Sequence, residues 1–484
     1  MAETGRIVLK DMHLSGRKKT ANGVLLVLPV SHTHYVVPPI GLGYIASSLR
    51  REGFNNIRIL DCVKEKMSFD NFFSYFSENK PEIAGFQVFS YDFNSVKRSI
   101  GLIKKISPKT KIVIGGPHVS ATKGDSLYDL EGADFGFVGE AEIGFPMLLK
   151  RLLRKDSISY EDIPGLVWRE NKRVLKNPRT YIDDLDSLGY PAWDLINPLL
   201  YPDSPQGGFY KNFPIAPIST TRGCPYQCTF CGSGVNMGHK LRFRNIERVL
   251  DEMEMLYGDF KVREFHIIDD MFNFNKQRVI DFCQGIKRRN LKISYTFPNG
   301  LRLNNLDSNI LKNMKDTGAY AFTVGIESGS QNILNAMKKD LTIELIEEKV
   351  NLIRKSGLEP SGFFLIGYPG ETIEDIKLTI KFAKRLKIKR AHFSNFLPLP
   401  GTTITEKLIE SGEISHTDWS KLFYSKVAYS PKGISKNKLK QLQRRAFLEF
   451  HLRPLILFKM LTEIKSFNHL KIILKRAVDY LFSR

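Results

Sequence analysis

Three thiols crowd into eight residues of this chain, in the run Thr221-Arg222-Gly223-Cys224-Pro225-Tyr226-Gln227-Cys228-Thr229-Phe230-Cys231-Gly232. Thiolates are the usual ligands of iron–sulfur clusters, normally four to a cluster. The spacing C-x3-C-x2-C supplies three and leaves one iron open to an outside ligand. Two other readings use the same residues. A closed zinc site would take His239 as its fourth ligand. A four-cysteine electron-transfer cluster would borrow Cys62 or Cys283, although a lone cysteine is more commonly a buried, inert thiol. Five cysteines in 484 residues do not make a disulfide framework.

The triplet must be held by ordered elements, and the flanking pattern supplies them. Over residues 20–154, short apolar runs (Val24–Leu28, Ile57–Leu60, Ile83–Val88, Ile112–Ile114, Asp134–Val138) alternate with helical patterns such as Leu42–Glu52 and Ser95–Ile106. Such alternation predicts a flavodoxin-like doubly wound parallel sheet, which binds ligands beyond the carboxyl ends of its strands. Residues 155–212 carry six prolines and no long periodic segment, the mark of a linker with one hairpin. From 213 to 425 the alternation resumes with Ile215–Thr220, Glu264–Ile268, Ile293–Phe297, Ala321–Ile326, Gly362–Ile366 and Arg390–Phe396. Six βα units predict a partial (β/α)6 barrel with its site at the strand carboxyl ends, and the cysteine loop directly follows the first strand. Residues 426–484 read as helices.

Composition narrows the partners. A 42% hydrophobic and 25% charged chain is ordinary for a folded soluble protein. No apolar run approaches the ~18 residues of a membrane-spanning helix, so a cytoplasmic location is expected. The basic patch Arg17-Lys18-Lys19 with the run at Val24 reads as a leader to a first strand, since no small-residue cleavage site follows. The net charge of +21 is uneven: residues 431–484 hold eight Lys and five Arg against Glu449, Glu463 and Asp479, a balance of +10. That tail interleaves its cations with Phe447, Phe450, Leu455, Phe458, Leu461 and Phe467. It is either an amphipathic segment resting on an anionic inner membrane face or a set of helices with a solvated basic face. No nucleic-acid motif accompanies the charge.

C-x3-C-x-aromatic-C after the first strand of a partial barrel, with Phe230 as the aromatic, resembles the signature of the radical S-adenosylmethionine (SAM) superfamily. The resemblance implies a 4Fe-4S cluster on Cys224, Cys228 and Cys231 whose free iron chelates SAM. Reduction then gives methionine and a 5′-deoxyadenosyl radical. Asp270, in Ile267-Ile268-Asp269-Asp270, stands where the family contacts the SAM amino end, though Asp-Asp replaces its commoner Gly-Gly-Glu. Gly325-Ile326-Glu327-Ser328-Gly329 resembles the fourth-strand motif, which implies that Glu327, with Ser328 beside it, takes the ribose hydroxyls. Gly367 to Glu371 and Leu397 to Thr402 resemble the loops around adenine and substrate.

The order of doubly wound domain, linker and barrel, over roughly residues 24–425, resembles the cobalamin-binding radical SAM subfamily. That places Gly41, Gly115, Gly116, His118, Gly139 and Glu140 in the loops facing the corrinoid. The cobalt-ligating motif Asp-x-His-x-x-Gly reads Asp61-Cys62-Val63-Lys64-Glu65-Lys66 here, with Val63 in the histidine slot, so no cobalt ligand is expected from it. His118 is expected to shape its loop, and His32 and His34 are further candidates for cobalamin or substrate contact. The implied activity is cobalamin-dependent methylation of an unactivated carbon in a lipid or other metabolite, served by an external low-potential electron donor. The alternatives are a cyclase or rearranging enzyme without methyl transfer, and a non-catalytic iron–sulfur or zinc protein.

Overall fold

The computed structural model describes residues 23–31, 33, 35–203, 209–415, 419–423 and 426–482. His32, His34 and the basic patch at residues 17–19 lie outside them. Apolar, β-branched runs that bury both faces form the first sheet: β1 (Val24–Leu28), β2 (Ile57–Asp61), β3 (Ile83–Gln87), β4 (Lys111–Gly115) and β5 (Phe135–Phe137). Their spatial order is β2-β1-β3-β4-β5, all parallel. This is the doubly wound order with its switch point beside β1 and β3. One face packs on Leu25, Val27 and Ile112, the other on Leu26, Val113 and Phe145.

The hairpin expected in 155–212 is β6 (Leu166–Glu170) and β7 (Arg173–Lys176), and it extends the first sheet antiparallel from β5. Asn171 and Lys172 both have positive φ (47° and 66°), the backbone a two-residue turn needs to match strand twist. The rest of this segment differs from a loose linker. Trp193 donates from Nε1 to Glu252 at 2.8 Å, Tyr190 accepts from Ser47 at 2.7 Å, and Trp193 and Ile196 enter the barrel core. Apolar side chains that have lost their own periodicity still find a core between the two sheets.

The barrel strands β8 (Ile215–Ile218), β11 (Glu264–Ile267), β12 (Ser294–Thr296), β13 (Ala319–Glu327), β14 (Glu359–Ile366) and β15 (Arg390–Asn395) run parallel in chain order. Between β8 and β11, the short ribbon β9 (Thr221–Arg222) and β10 (Arg242–Phe243) pairs antiparallel across the cysteine loop. Helices connect the strands with local signals intact, as where Thr372 and Asp375 cap the helix Ile373–Arg385 reciprocally.

Three helices follow: Lys436–His451, Pro454–Leu461 and Phe467–Phe482. The first buries Leu439, Leu442, Ala446 and Phe450, one apolar stripe, against β15 and its neighbours. Each large side chain so buried contributes roughly 1.5–3 kcal/mol. Among the described residues no helix is long and apolar enough to cross a membrane.

Candidate active site between the two sheets

The ribbon fixes the cysteine loop. Gly223 has φ of +91°, and a Cβ there would run into the Lys240 carbonyl, so only glycine lets the chain turn under β10. The Cys224 N–H then donates to Gly238 O at 3.1 Å, and Cys231 to Cys228 O at 3.1 Å. His239 turns Nδ1 toward the Cys224 carbonyl (3.2 Å), which occupies it with backbone. Cys62 is buried in the first domain, and Cys283 is buried beside Tyr295 Oη at 3.7 Å, so neither adds a fourth thiolate to the loop. Three thiols on one short loop, with no fourth, fit a cluster that keeps one iron open.

Three charged side chains surround that loop. Arg302 lies with its guanidinium 3.8 Å from the Tyr226 ring centroid and Nη1 3.8 Å from Cys228 Sγ, and it also binds the Lys339 carbonyl. Lys339 Nζ pairs with Glu327 Oε1 at 2.6 Å and stands 5.9 Å over the Phe230 ring. Burial lowers the lysine's pKa, but the charges of Glu327 and the Cys228 thiol outweigh it, and the group lies above the ordinary lysine range. Glu327 adopts φ of +67° at an irregularity in the β13–β14 register. A Cβ on Gly325 would come within 2.7 Å of both Glu327 Oε1 and Lys339 Nζ, so that glycine makes room for the pair. Asp269 and Asp270 part company. Asp269 is buried and takes the Thr220 N–H (2.6 Å) and hydroxyl (2.5 Å), whereas Asp270 faces open space. The enclosing walls raise the Asp270 carboxyl, with Ser233 opposing.

That space is a cavity of about 940 Å³ between the strand carboxyl ends of both sheets. The size lies at the upper end of ligand pockets, ~300–1,000 Å³. Its first-domain wall holds Gly41, Gly115, Gly116, Gly139 and Glu140; its barrel wall holds Asp270, Asn299, Thr323, Phe363 and His392. A Cβ on Gly115 would meet nothing within 4 Å and one on Gly41 only Gln87 Nε2 at 3.8 Å. These bare positions form a cradle that side chains would fill, the feature a large planar cofactor requires. No described residue of 61–68 lines the cavity. There Asp61 accepts from the Val63 and Lys64 N–H groups and from Tyr201 Oη at 3.0 Å, so the tyrosine caps the loop in which a cobalt-binding histidine is missing.

Ion pairs join the two halves. Glu140 meets Arg242 at 2.7 Å and Arg222 at 3.2 Å, and Arg222 meets Glu142 at 2.8 Å. Burial pushes the Glu140 carboxyl up, but the hydrogen bond from Arg242 and the charge of Arg222 hold it below the ordinary carboxylate range. Arg179 reinforces the joint by binding the carbonyls of Val235 and Ser120. The C-terminal helices complete the cavity through Phe447, His451, Met460, Ile473 and Tyr480. The His451 Nδ1–H donates to Phe447 O at 3.0 Å, which leaves Nε2 as an acceptor. Burial lowers His451 to about 4 and His392 to about 3, so both are neutral near pH 7.

Three of the expected site residues do not line the cavity. His118 is turned into the first core, bonded to Ser90 Oγ at 2.9 Å and packed on Phe93 and Trp419. Ser328 is fully buried against the helix Ile373–Arg385, 3.1 Å from Thr379 Oγ1. Gly367 gives close approach to the helix Lys436–His451, where a Cβ would stand 2.6 Å from Leu439. A motif places a residue near a site without fixing which way it points. Sequence reasoning also missed Arg302, Lys339, Arg222 and Arg242. Only the position of Arg302, just beyond the third barrel strand, signals function in advance.

Residues 27–149 match the family model of the B12 binding domain, and residues 218–383 that of the Radical SAM superfamily. An uncharacterized methyltransferase of Pyrococcus horikoshii, PH0819, is 32% identical over 466 residues, which cover 94% of this chain and 97% of that protein. Cytidylyl-2-hydroxyethylphosphonate methyltransferase of Streptomyces wedmorensis is 27% identical, covering 77% of this chain and 78% of that protein. The solved structure of the cobalamin-dependent SAM radical enzyme OxsB, with aqua-cobalamin and SAM bound, superposes with a TM-score of 0.73 at 16% identity, over 94% of this chain and 70% of that one. That last likeness concerns the fold alone. With a three-thiol loop in the barrel and a glycine cradle in the first domain, the chain belongs to the radical SAM superfamily, in the branch that carries a B12-binding domain ahead of the barrel, and its cofactors are a 4Fe-4S cluster, SAM and cobalamin.

Proposed function

We propose that this chain is a cobalamin-dependent radical SAM methyltransferase acting on an unactivated carbon of a small molecule or lipid. One observation carries the reading: a single cavity is bordered on the barrel side by Thr221, Arg222, Asn236 and Met237, the residues that flank the cysteine loop, and by the glycine cradle on the other. Both cofactors then reach one substrate without crossing water. Residues 20–154 supply the cobalamin wall, 213–425 the barrel, 155–212 the packed connection, and 426–484 the remaining wall. The names of the two curated relatives support methyl transfer.

When bound, the cluster with SAM supplies a hydrogen-abstracting carbon radical, and cobalamin supplies the methyl group. The chain's own work is positioning. Cys224, Cys228 and Cys231 hold the cluster, with Phe230 packed against its loop. Arg302 and Lys339 place positive charge where a SAM carboxylate ends, and Asp270 offers a carboxylate to its ammonium. Glu327 uses Oε1 for Lys339 and offers Oε2 to a ribose hydroxyl. Gly41 and Gly115 let backbone approach the corrin, Gly116 and Gly139 make room for the chain packed behind them, and Glu140 holds the cradle to the cysteine ribbon. His118, Ser328 and Gly367 act by packing. An external low-potential donor supplies electrons, and the basic, apolar outer side of the C-terminal helices supports peripheral contact with an anionic membrane.

The test uses anaerobically reconstituted protein with hydroxocobalamin, a low-potential reductant and SAM labelled in its methyl group. Label on protein-bound cobalamin, together with S-adenosylhomocysteine and 5′-deoxyadenosine, is the expected result. Deoxyadenosine without S-adenosylhomocysteine would replace methyl transfer with a cyclase or rearrangement, and no SAM cleavage would leave a non-catalytic cluster protein.

A further inference from the structure

The helix Phe467–Phe482 is a wall with two different faces. At 3.6 residues per turn, Phe467, Lys471, Leu474, Lys475 and Val478 follow one stripe, and all five are exposed. Ile473, Arg476, Ala477 and Tyr480 follow the opposite stripe and line the cavity. The neighbouring helix Pro454–Leu461 repeats the arrangement: Met460 lines the cavity, while Leu455 and Phe458 are each 65% exposed. Phe467 is 72% exposed. A water-facing surface helix turns polar residues outward and apolar ones inward. These helices do that only in part, since their outer sides mix large apolar groups with lysine, and a contiguous apolar patch of this kind marks an interaction site.

The charges choose the partner. Lys459, Lys465, Lys471 and Lys475 are exposed among the apolar groups. Glu463 is drawn inward onto Lys389 and Arg390 of the barrel, where it neutralises nothing on the outer face. Phenylalanine and leucine flanked by lysine is the composition of a helix lying in a bilayer interface, with apolar groups among the acyl chains and ammonium groups at anionic headgroups. Self-association through the same patch would set lysines of one copy against lysines of the other.

We propose that this outer face docks on an anionic lipid bilayer, and that the cavity one helix behind it takes an amphiphilic substrate from that bilayer; the second clause rests on the methyltransferase reading. Apolar and aromatic lining from Phe363, Phe447, Ile473 and Tyr480 suits a hydrocarbon body. The neutral His392 and His451, with acceptor nitrogens, suit a single hydroxylated or otherwise polar end.

The full-length chain is sedimented with vesicles of phosphatidylcholine alone or with three parts in ten of phosphatidylglycerol. Binding to the mixed vesicles only, reversed by high salt, is expected. Each lysine near an anionic surface contributes about five-fold to partitioning, so Lys471→Glu with Lys475→Glu should weaken binding by at least about 25-fold without changing the melting temperature. Phe458→Ser should weaken it at low salt, and an unaffected Phe458→Ser overturns insertion of the apolar groups. Equal sedimentation with both vesicle types, or an unaffected double variant, overturns the docking face. A dimer in light scattering that the same substitutions dissociate overturns it in favour of a second copy. For the cavity, radiolabelled oleyl alcohol offered in mixed vesicles should remain with the chain at about one per molecule, and Ala477→Phe should lower this at least five-fold while vesicle binding persists. Oleyl alcohol retained equally by Ala477→Phe overturns the substrate class. Neither measurement uses SAM or a reductant, so loss of the methyltransferase reading would be seen separately.

Discussion

Replacing Glu140 by glutamine tests whether the first domain holds the cysteine ribbon in place. The carboxylate is 3% exposed and its partner Arg242 2% exposed, at 2.7 Å. Breaking such a buried pair from one side costs about 3–5 kcal/mol, because the surviving charge stays buried. Two features put this case at the lower end. Arg242 keeps hydrogen bonds to the carbonyls of Ile182 (2.7 Å) and Met237 (3.0 Å), and Arg222 keeps Glu142. A loss of about 3 kcal/mol corresponds to roughly 6 °C in the melting temperature for a large domain. Melting is followed by fluorescence for Glu140→Gln, Arg242→Met and the double variant, with iron content after anaerobic reconstitution as a second readout. The cycle should give a coupling on the order of 2 kcal/mol, and each single variant should retain less iron than the parent. The exposed pair Lys240–Asp183, on the same ribbon at 2.7 Å, is the control and should show no measurable coupling. Additive effects at Glu140 and Arg242, below about 0.5 kcal/mol of coupling, would refute the argument and make the contact incidental.

Gly223→Ala should fold yet lose most cluster incorporation, since its methyl meets the Lys240 carbonyl at a φ of +91°; iron content and the cluster's visible absorbance decide this. Arg302→Met should weaken SAM binding at least ten-fold by calorimetry while preserving the cluster, because it removes a charge from beside the cysteine loop and keeps the stem over Tyr226. Asp92 is buried and raised to about 7, with burial the leading cause and the Ser31 hydroxyl opposing it. Its folded pKa exceeds its unfolded one, so the folded state holds the extra proton and stability falls as pH rises from about 4 to about 7. Asp92→Asn should therefore melt higher than the parent at pH 8, by an amount worth at most roughly 4 kcal/mol, and match it at pH 4; an equal gain at both values would sink this account.

The two sheets were legible because each strand is an apolar run between turn-forming residues, and strands alternating with helices select parallel pairing. The six barrel strands follow chain order, whereas the 2-1-3-4-5 arrangement, with β1 paired to β3, belongs to the doubly wound class and not to sequence order. The cysteine loop was legible for a similar reason: its three ligands are local in sequence. What joins distant segments was not. Arg302 and Lys339 meet over the cysteine loop, and Tyr201 reaches Asp61 across 140 residues, with no periodicity to announce it. The direction of a side chain was equally hidden. His118 and Gly116 share one motif, yet the glycine lines the cavity and the histidine fills the core behind it. In the prolyl segment 155–212, isolated apolar residues such as Trp193 found a core that only the neighbouring domains could offer.

The cavity wall formed by Phe467–Phe482 also bears on assembly. Both sheets leave the ribosome before this helix exists, and domains fold in the order they are made. During that interval the cleft between the cradle and the barrel lacks the wall that Ile473, Ala477 and Tyr480 later supply. The helix then closes the opening, held largely by contacts on its inner stripe while its outer stripe stays exposed. Exchange of the large cofactor in the finished protein thus requires this helix to lift away, a local opening that costs far less than unfolding either sheet. Retention of cobalamin becomes a matter of how often the wall opens, so hydrogen exchange along 467–482 should set the pace at which the cofactor is lost.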